Sequence, residues 1–150
     1  MARWGVKASK GTASVQSILL LVAAAASPRR AKIYDYNVGC NASPADNAFS
    51  HIVQRCTTAG TGTGLTPNAL DQADTLASTI VAKDTVTADP TLTANAFLNR
   101  VALNQRATYR WVAAPDGQWV IPATASNGII IGLGSASTTD FDAGAQFEEL

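Results

Sequence analysis

Turn-forming residues divide this chain into short segments, and none of the segments has a convincing amphipathic-helix pattern. Residues 114–117 (Ala-Pro-Asp-Gly) separate segment 107–113 from segment 118–121, and Asn127-Gly128 precedes the apolar run 129–133. Gly, Pro, Asn and Asp favour turns through their backbone preferences and local hydrogen bonds. Alternation within the segments puts Tyr109 and Trp111 on one strand face and Arg110 on the other. The pattern therefore predicts an all-β chain.

Nine segments have the length and alternation of strands, and 75–82 also fits a short helix. They are residues 17–24, 31–39, 48–57, 75–82, 95–103, 107–113, 118–121, 129–133 and 143–149. The Gly-rich stretch 59–64 is interpreted as a flexible turn, and 66–71 as a loop with one helical turn. Residues 114–117 and 127–128 are predicted to close hairpins. Short strands with regular turns predict a two-sheet antiparallel sandwich or a barrel, and a jelly roll is one such sandwich.

The domain organisation follows from length and from the character of the first residues. A chain of 150 residues fits one domain, which we assign to residues 17–150. Residues 1–16 are small and basic, and are interpreted as an extended N-terminal arm that is ordered only if something holds it. The apolar run 18–26 follows basic residues, as in a signal peptide, but it is too short to span a bilayer as a helix. We interpret residues 17–24 as a strand buried on both faces.

Charge is sparse and unevenly distributed. Charged residues make up 15% of the chain, against about 25% in typical domains. The net charge is zero, which gives no indication of nucleic acid or membrane binding. Residues 1–32 carry six basic residues and no acid, whereas residues 111–150 carry five acids and no Lys or Arg. The two ends can pair between copies or dock on different partners, and solvation of both ends is an equally good interpretation.

Motifs for catalysis and for cofactors are absent from the sequence. His51 is the sole histidine and has no nucleophile motif beside it, so we assign it a structural role. The glycines of 60–64 lack the GK[ST] and the helix that a phosphate loop requires. The pairs Asp71/Asp74 and Asp140/Asp142 lack the spacing of a calcium loop. We therefore predict a non-enzymatic protein with no metal and no cofactor.

The cysteines and the aromatic residues are the other residues whose roles we predict from the sequence. Cys40 and Cys56 make no CxxC pair, and we expect two buried, reduced thiols, which fits assembly in a reducing cytoplasm. Four aromatic residues form either a sugar-stacking platform or cross-strand core pairs, and core or interface packing is favoured. These four are Tyr34, Tyr109, Trp111 and Trp119.

Segments 103–115 (LNQRATYRWVAAP) and 119–129 (WVIPATASNGI) resemble small virion proteins of tailed bacteriophages. Segments 32–39, 43–48 and 146–149 are similar to them as well, so that the resemblance covers about residues 28–150. It implies a jelly-roll-like subunit of the decoration or cement kind. Such subunits commonly form trimers over the joints between major capsid subunits.

The resemblance and the composition together predict a virion surface protein, assembled in the host cytoplasm, that bridges neighbouring major capsid subunits as a homotrimer. A head-fibre or tail module that recognises a glycan is the alternative. Partner contacts on the arm are assigned to Arg3, Trp4, Lys7 and Lys10. Partner contacts on the body are assigned to Arg29, Arg30, Arg106, Arg110 and Trp119.

Overall fold

Two six-stranded antiparallel sheets pack face to face and make up all the regular structure of the described residues. The computed structural model describes residues 2–10 and 15–150. The twelve strands are β1 (Arg3–Ser9), β2 (Ser17–Ala23), β3 (Ala31–Cys40), β4 (Ala48–Cys56), β5 (Thr61–Leu65), β6 (Asn68–Ala69), β7 (Ile80–Ala88), β8 (Leu92–Asn104), β9 (Tyr109–Val112), β10 (Trp119–Ile121), β11 (Gly128–Leu133) and β12 (Phe141–Glu149). The two-sheet antiparallel sandwich predicted from the sequence is confirmed, with six strands in each sheet.

Sheet 1 has the order β10-β3-β12-β1-β6, with β9 also paired to β3. Sheet 2 has the order β5-β7-β2-β11-β4-β8. The main core lies between the sheets and contains the inward side chains of both, including Phe147, Ile33, Leu21 and Ile129. Those four side chains are fully buried. Within the described ranges there is no helix that is long and apolar enough to cross a membrane.

The central strands of sheet 2 are buried on both faces, as the sequence predicted for residues 17–24. Every residue of β2 and of β11 is buried. A second, smaller core on the outer side contains Leu20, Val22, Ile52, Cys56 and Ile130. The connections β4–β5 and β7–β8 each cross from one side of this sheet to the other. They are hydrogen-bonded to each other, since Thr57 N donates to Thr91 O at 3.0 Å. Their packing covers this second core.

Residues 3–9 are not an arm separate from the body, which corrects the sequence-based boundary at residue 16. Strand β1 pairs with β12 along its full length, from Arg3↔Glu148 to Ser9↔Asp142. Its buried residues Trp4, Val6 and Ala8 alternate with residues on the outer side of sheet 1. The remainder of the predicted arm includes residues 11–14, which lie outside the described residues. Local composition misled because the pairing partner of β1 is at the other end of the chain.

Four local predictions were wrong for related reasons. Strands β9 and β10 do not form a hairpin, because both pair with β3, at Asp35–Val38 and at Ala31–Ile33. Residues 114–117 form a turn that bulges out between them, and the positive φ of 61° falls on Asp116. Residues 127–128 lead from sheet 1 into sheet 2 and close no hairpin. The Gly-rich stretch contains strand β5, and the loop 66–71 contains strand β6 instead of a helical turn.

Candidate functional site

The outer face of sheet 1 carries a groove whose floor includes two glycines. Gly5 on β1 and Gly144 on β12 are outward-facing positions of adjacent strands. The groove has a volume of about 490 Å³, within the range of small-ligand sites. We call it the glycine groove.

The register of sheet 1 fixes which side chains surround the glycine groove. One row across the strands runs Lys7, Gly144, Asn37, Arg110, from β1 through β12 and β3 to β9. The next row places Gln146 and Asp35 beside Gly5. Because side chains of one row are neighbours on one face of a sheet, the missing side chains of the glycines leave a depression between polar groups.

The chain segment that leads from β5 into β6 forms one wall of the glycine groove. Leu65, Thr66, Asn68 and Leu70 line it. A Cβ placed on Gly5 would lie 3.2 Å from Leu70 Cδ2, so the wall reaches close over the floor. Leu65 and the exposed Leu70 thus give the groove one apolar side.

The strongest polar contact in the groove joins Asp35 and Arg110. The Arg110 guanidinium donates to both oxygens of Asp35, with Nε at 3.0 Å from Oδ1 and Nη2 at 2.5 Å from Oδ2. Such two-pronged pairing fixes both side chains. The hydrogen bonds to Asp35 raise the pKa of Arg110 above its ordinary value. The sequence assigned Arg110 to a partner, but the structure holds it against its own chain.

A second hollow of about 300 Å³ adjoins the glycine groove and shares Lys7 and Asn37 with it. Ser9, Asp84 and Asp142 complete its polar lining. Asp142 Oδ1 accepts hydrogen bonds at 2.6 Å from Ser9 Oγ and from Asn41 Nδ2. Across residues 2–10 and 15–150, no carboxylate lies within 4.0 Å of the Lys7 ammonium.

The predicted arm contacts divide between the surface and the interior. Arg3 is exposed, lies 3.7 Å from Glu148 and stands over the Tyr34 ring. Lys7 is exposed in the groove. Trp4 is buried and stacks on Phe147, with ring centroids 5.9 Å apart, so its assignment as a partner contact is wrong. Lys10 is also buried and its Nζ donates to the Ser137 carbonyl, so the same correction applies. Burial lowers the pKa of Lys10.

The predicted body contacts do not form one patch. Arg29 and Arg30 are exposed just before β3, whereas Arg106 is exposed in the turn that leads to the other end of β3. The length of the strand, roughly 30 Å, separates them. Trp119 is half-buried, faces the core and stacks on Trp111 with ring centroids 3.8 Å apart, so most of its contacts are within its own chain.

The aromatic residues assigned to a sugar platform pack mostly with one another. Trp111 and Trp119 stack within 8° of parallel, and both contact the buried Tyr36. Tyr109 joins this cluster, where Asn99 Nδ2 lies within hydrogen-bond distance of the Tyr36 and Tyr109 hydroxyls. Tyr34 lies apart beside Arg3. Core packing, the favoured interpretation, describes all but Tyr34.

His51 is buried in an apolar site, away from the groove. Its ring contacts Phe49 and Phe141, with centroids 4.5 and 5.7 Å away. Nδ1 lies 3.4 Å from the Gly132 carbonyl, and Nε2 has no hydrogen-bond partner in the described part of the chain. Burial lowers its pKa to about 4. Residues 2–10 and 15–150 contain no group of three or more His, Cys, Asp or Glu side chains placed to hold a metal ion.

The free edge of β8 is a second feature that could bind a partner. β8 is the longest strand at the border of either sheet, with 13 residues, and among the strands of residues 2–10 and 15–150 it pairs only with β4. Two register shifts and the positive φ of Asn95 (58°) distort its first half, whereas Asn99–Asn104 pairs without interruption. Phe97 is 38% exposed on this strand, and Ala102 is exposed on its straight half.

Comparison with known proteins identifies no relative of this chain: no family model, no curated protein and no solved structure matches.

Proposed function

We propose that the protein is a structural subunit of a bacteriophage particle that bridges neighbouring major capsid subunits as a decoration or cement protein. It acts at the capsid surface as a homotrimer. Support comes from the sequence resemblance over residues 28–150 and from the open edge of β8.

The edge of β8 supports this proposal because an unpaired strand edge is a template for another chain. Such an edge exposes main-chain N–H and C=O groups that pair readily with a further strand. Natural domains usually protect these edges with charge or with bulges. Here the bulged half is protected in that way, but the straight half Asn99–Asn104 has a single charged residue, Arg100. A strand or edge of a shell subunit can therefore add to sheet 2.

The closed interior of the sandwich also suits a bridging role. A cement protein stabilises a shell by contacting several subunits at once, and this multivalence raises affinity without any single strong site. For that it must resist deformation. Two packed sheets, with β2 and β11 buried on both faces, provide such a body.

Imaging the particle that carries this protein tests the proposal. Copies on the order of hundreds per particle, each with β8 against a shell subunit, are expected for a multivalent shell component. Copies on the order of a dozen would indicate a tail or a vertex instead and would refute the bridging role.

Variants at the edge give the matching biochemical test. Ala102→Lys adds a charge to the straight half of β8 and is expected to lower particle occupancy by about tenfold. Ala114→Lys, in the exposed turn between β9 and β10, is the control and should bind as the parent does. Equal occupancy of both variants would exclude β8 as the contact.

A further inference from the structure

The glycine groove and the hollow beside it together have a charge balance that suits an uncharged ligand. Lys7, Arg110 and Asp35 line the groove itself, with a net charge of +1, and Asp84 and Asp142 of the adjoining hollow bring the total to −1. The net charge of about −1 opposes a phosphate or any other polyanion. The Arg110 charge is in addition already paired with Asp35.

The polar groups of the groove are both donors and acceptors, and they stand at fixed places. Asn37 and Gln146 each offer an amide donor and an amide acceptor, and Asp35 adds acceptor capacity. Their strand positions hold the backbones in register, and the Arg110 pairing holds the Asp35 carboxylate. A ligand with several hydroxyl groups meets this arrangement, since each hydroxyl both donates and accepts.

The shape of the groove agrees with a flat ring. The missing side chains of Gly5 and Gly144 let Leu70 Cδ2 and Asn37 Oδ1 reach close to the floor, 3.2 and 3.0 Å from where the two Cβ atoms would lie, so a ring above them meets one apolar and one polar contact. Leu65 and Leu70 give an apolar side against which C–H groups can pack. A polypeptide strand is a poorer fit, because the floor is the face of a sheet and its main-chain groups are already paired within sheet 1.

We propose that the glycine groove binds a short, uncharged saccharide. Asn37, Gln146 and Lys7 hydrogen-bond to its hydroxyls, the Asp35–Arg110 pair presents fixed acceptors and donors at one end, and Leu70 packs on the C–H side of a ring. This assignment is independent of the edge of β8, which belongs to the other sheet. It also locates sugar binding away from the tryptophans.

An array of neutral and acidic oligosaccharides, probed with the purified chain, tests the proposal. Binding to neutral members, insensitive to salt, is the expected result. Amide NMR titration with the bound members should then shift β1, β3 and β12 resonances around the groove. A protein that binds no neutral saccharide, or that binds only acidic ones in a salt-sensitive way, refutes the assignment. If the groove binds peptides but no saccharide, the assignment is refuted as well.

Three variants connect the binding to the groove. Asn37→Ala and Lys7→Ala, both at exposed positions, are expected to weaken saccharide binding by about tenfold each. Gly5→Val fills the floor without removing a polar group, and binding is expected to be lost. Arg3→Ala, on the same strand and the same face but outside the groove, is the control and should bind unchanged.

The proposal is overturned if Trp119→Ala loses saccharide binding while Asn37→Ala and Gly5→Val keep it. The saccharide would then bind at the aromatic cluster. Circular dichroism of each variant shows that the sheet content is retained. Particle occupancy, which depends on β8, should be the same for Asn37→Ala and for the parent chain. A variant that loses only saccharide binding therefore separates this proposal from the capsid proposal.

Discussion

Individual buried residues of this protein carry chemistry that the sequence does not reveal. His51 and Cys56 are polar by type, yet both lie in apolar surroundings at 2% exposure. Burial lowers the pKa of His51 to about 4 and raises the pKa of Cys56 to about 12. The structural role predicted for His51 fits its packing between Phe49 and Phe141. Neighbours from distant strands create these shifts, so local sequence could not give their size.

Acid should destabilise the protein through His51. The ordinary histidine pKa is 6.5 and the folded value is about 4, so the unfolded chain binds a proton between these values and the folded chain does not. The free energy of unfolding should therefore fall as pH drops from 6.5 to 4, by about 3 kcal/mol from this residue. Urea unfolding at a series of pH values measures it.

His51→Leu serves as the comparison for the acid series, because leucine suits the apolar site and does not titrate. Its unfolding free energy should change less than that of the parent between pH 6.5 and 4. Parallel pH profiles of the two proteins would show that His51 is not responsible.

The two cysteines should react differently with thiol reagents. The thiolate is the nucleophile, and Cys56 is both buried and shifted toward the neutral thiol. Cys40 is half-buried near the end of β3, so the expectation of two buried thiols is correct only for Cys56. Native protein should therefore lose one thiol to iodoacetamide and denatured protein two. Rapid modification of Cys56 in the native protein would contradict its described packing.

At the scale of strands, the structure depends on pairings between the two ends of the chain. Strand β1 lies between β12 and β6, so the basic beginning and the acidic end of the chain meet within one molecule, as in the Arg3–Glu148 contact. The sequence had offered pairing between copies for these charges. Long-range pairing of this kind leaves no local signal, whereas alternation predicted β3 and β12 well because their burial has a period near two.

Removing the inward tryptophan of β1 should cost the stability of a core residue. Trp4→Ala deletes a buried ring that stacks on Phe147, and we expect a loss of about 3–5 kcal/mol. Arg3→Ala removes the adjacent exposed side chain and should cost less than about 1 kcal/mol. Chemical denaturation of both variants measures the difference. A small effect of Trp4→Ala would mean that residues 3–9 behave as an arm.

Glu149 at the end of β12 joins the two sheets. Its carboxylate accepts hydrogen bonds from Thr79 N at 2.9 Å, from Thr79 Oγ1 at 2.7 Å and from the Ser78 hydroxyl, just before β7. Glu149→Ala leaves these donors without their partner, and a loss of about 2–3 kcal/mol is expected on thermal or urea unfolding. Glu148→Ala, which removes only the contact with Arg3, is the neighbouring control. Equal losses in both variants would exclude this role for Glu149.

At the scale of the whole molecule, the sequence was sufficient for the fold class and insufficient for the site. Turns and alternation indicated two antiparallel sheets, because both are local properties. The glycine groove requires Gly5 and Gly144, from opposite ends of the chain, to lie side by side, and strand β5 required an unremarkable Thr-Gly stretch to pair with β7. Such arrangements follow from the register of the folded sheets.

Amide hydrogen exchange of β8, with and without the capsid shell, is the most direct test of the proposed function. In the free protein, the β8 amides that are not bonded to β4 should exchange rapidly. On addition of shells assembled from the major capsid protein, these amides, particularly within Asn99–Asn104, should become protected. The account is contradicted if the protein is bound to the shell and the β8 amides still exchange at the rate of the free protein, because the open edge would then have no partner.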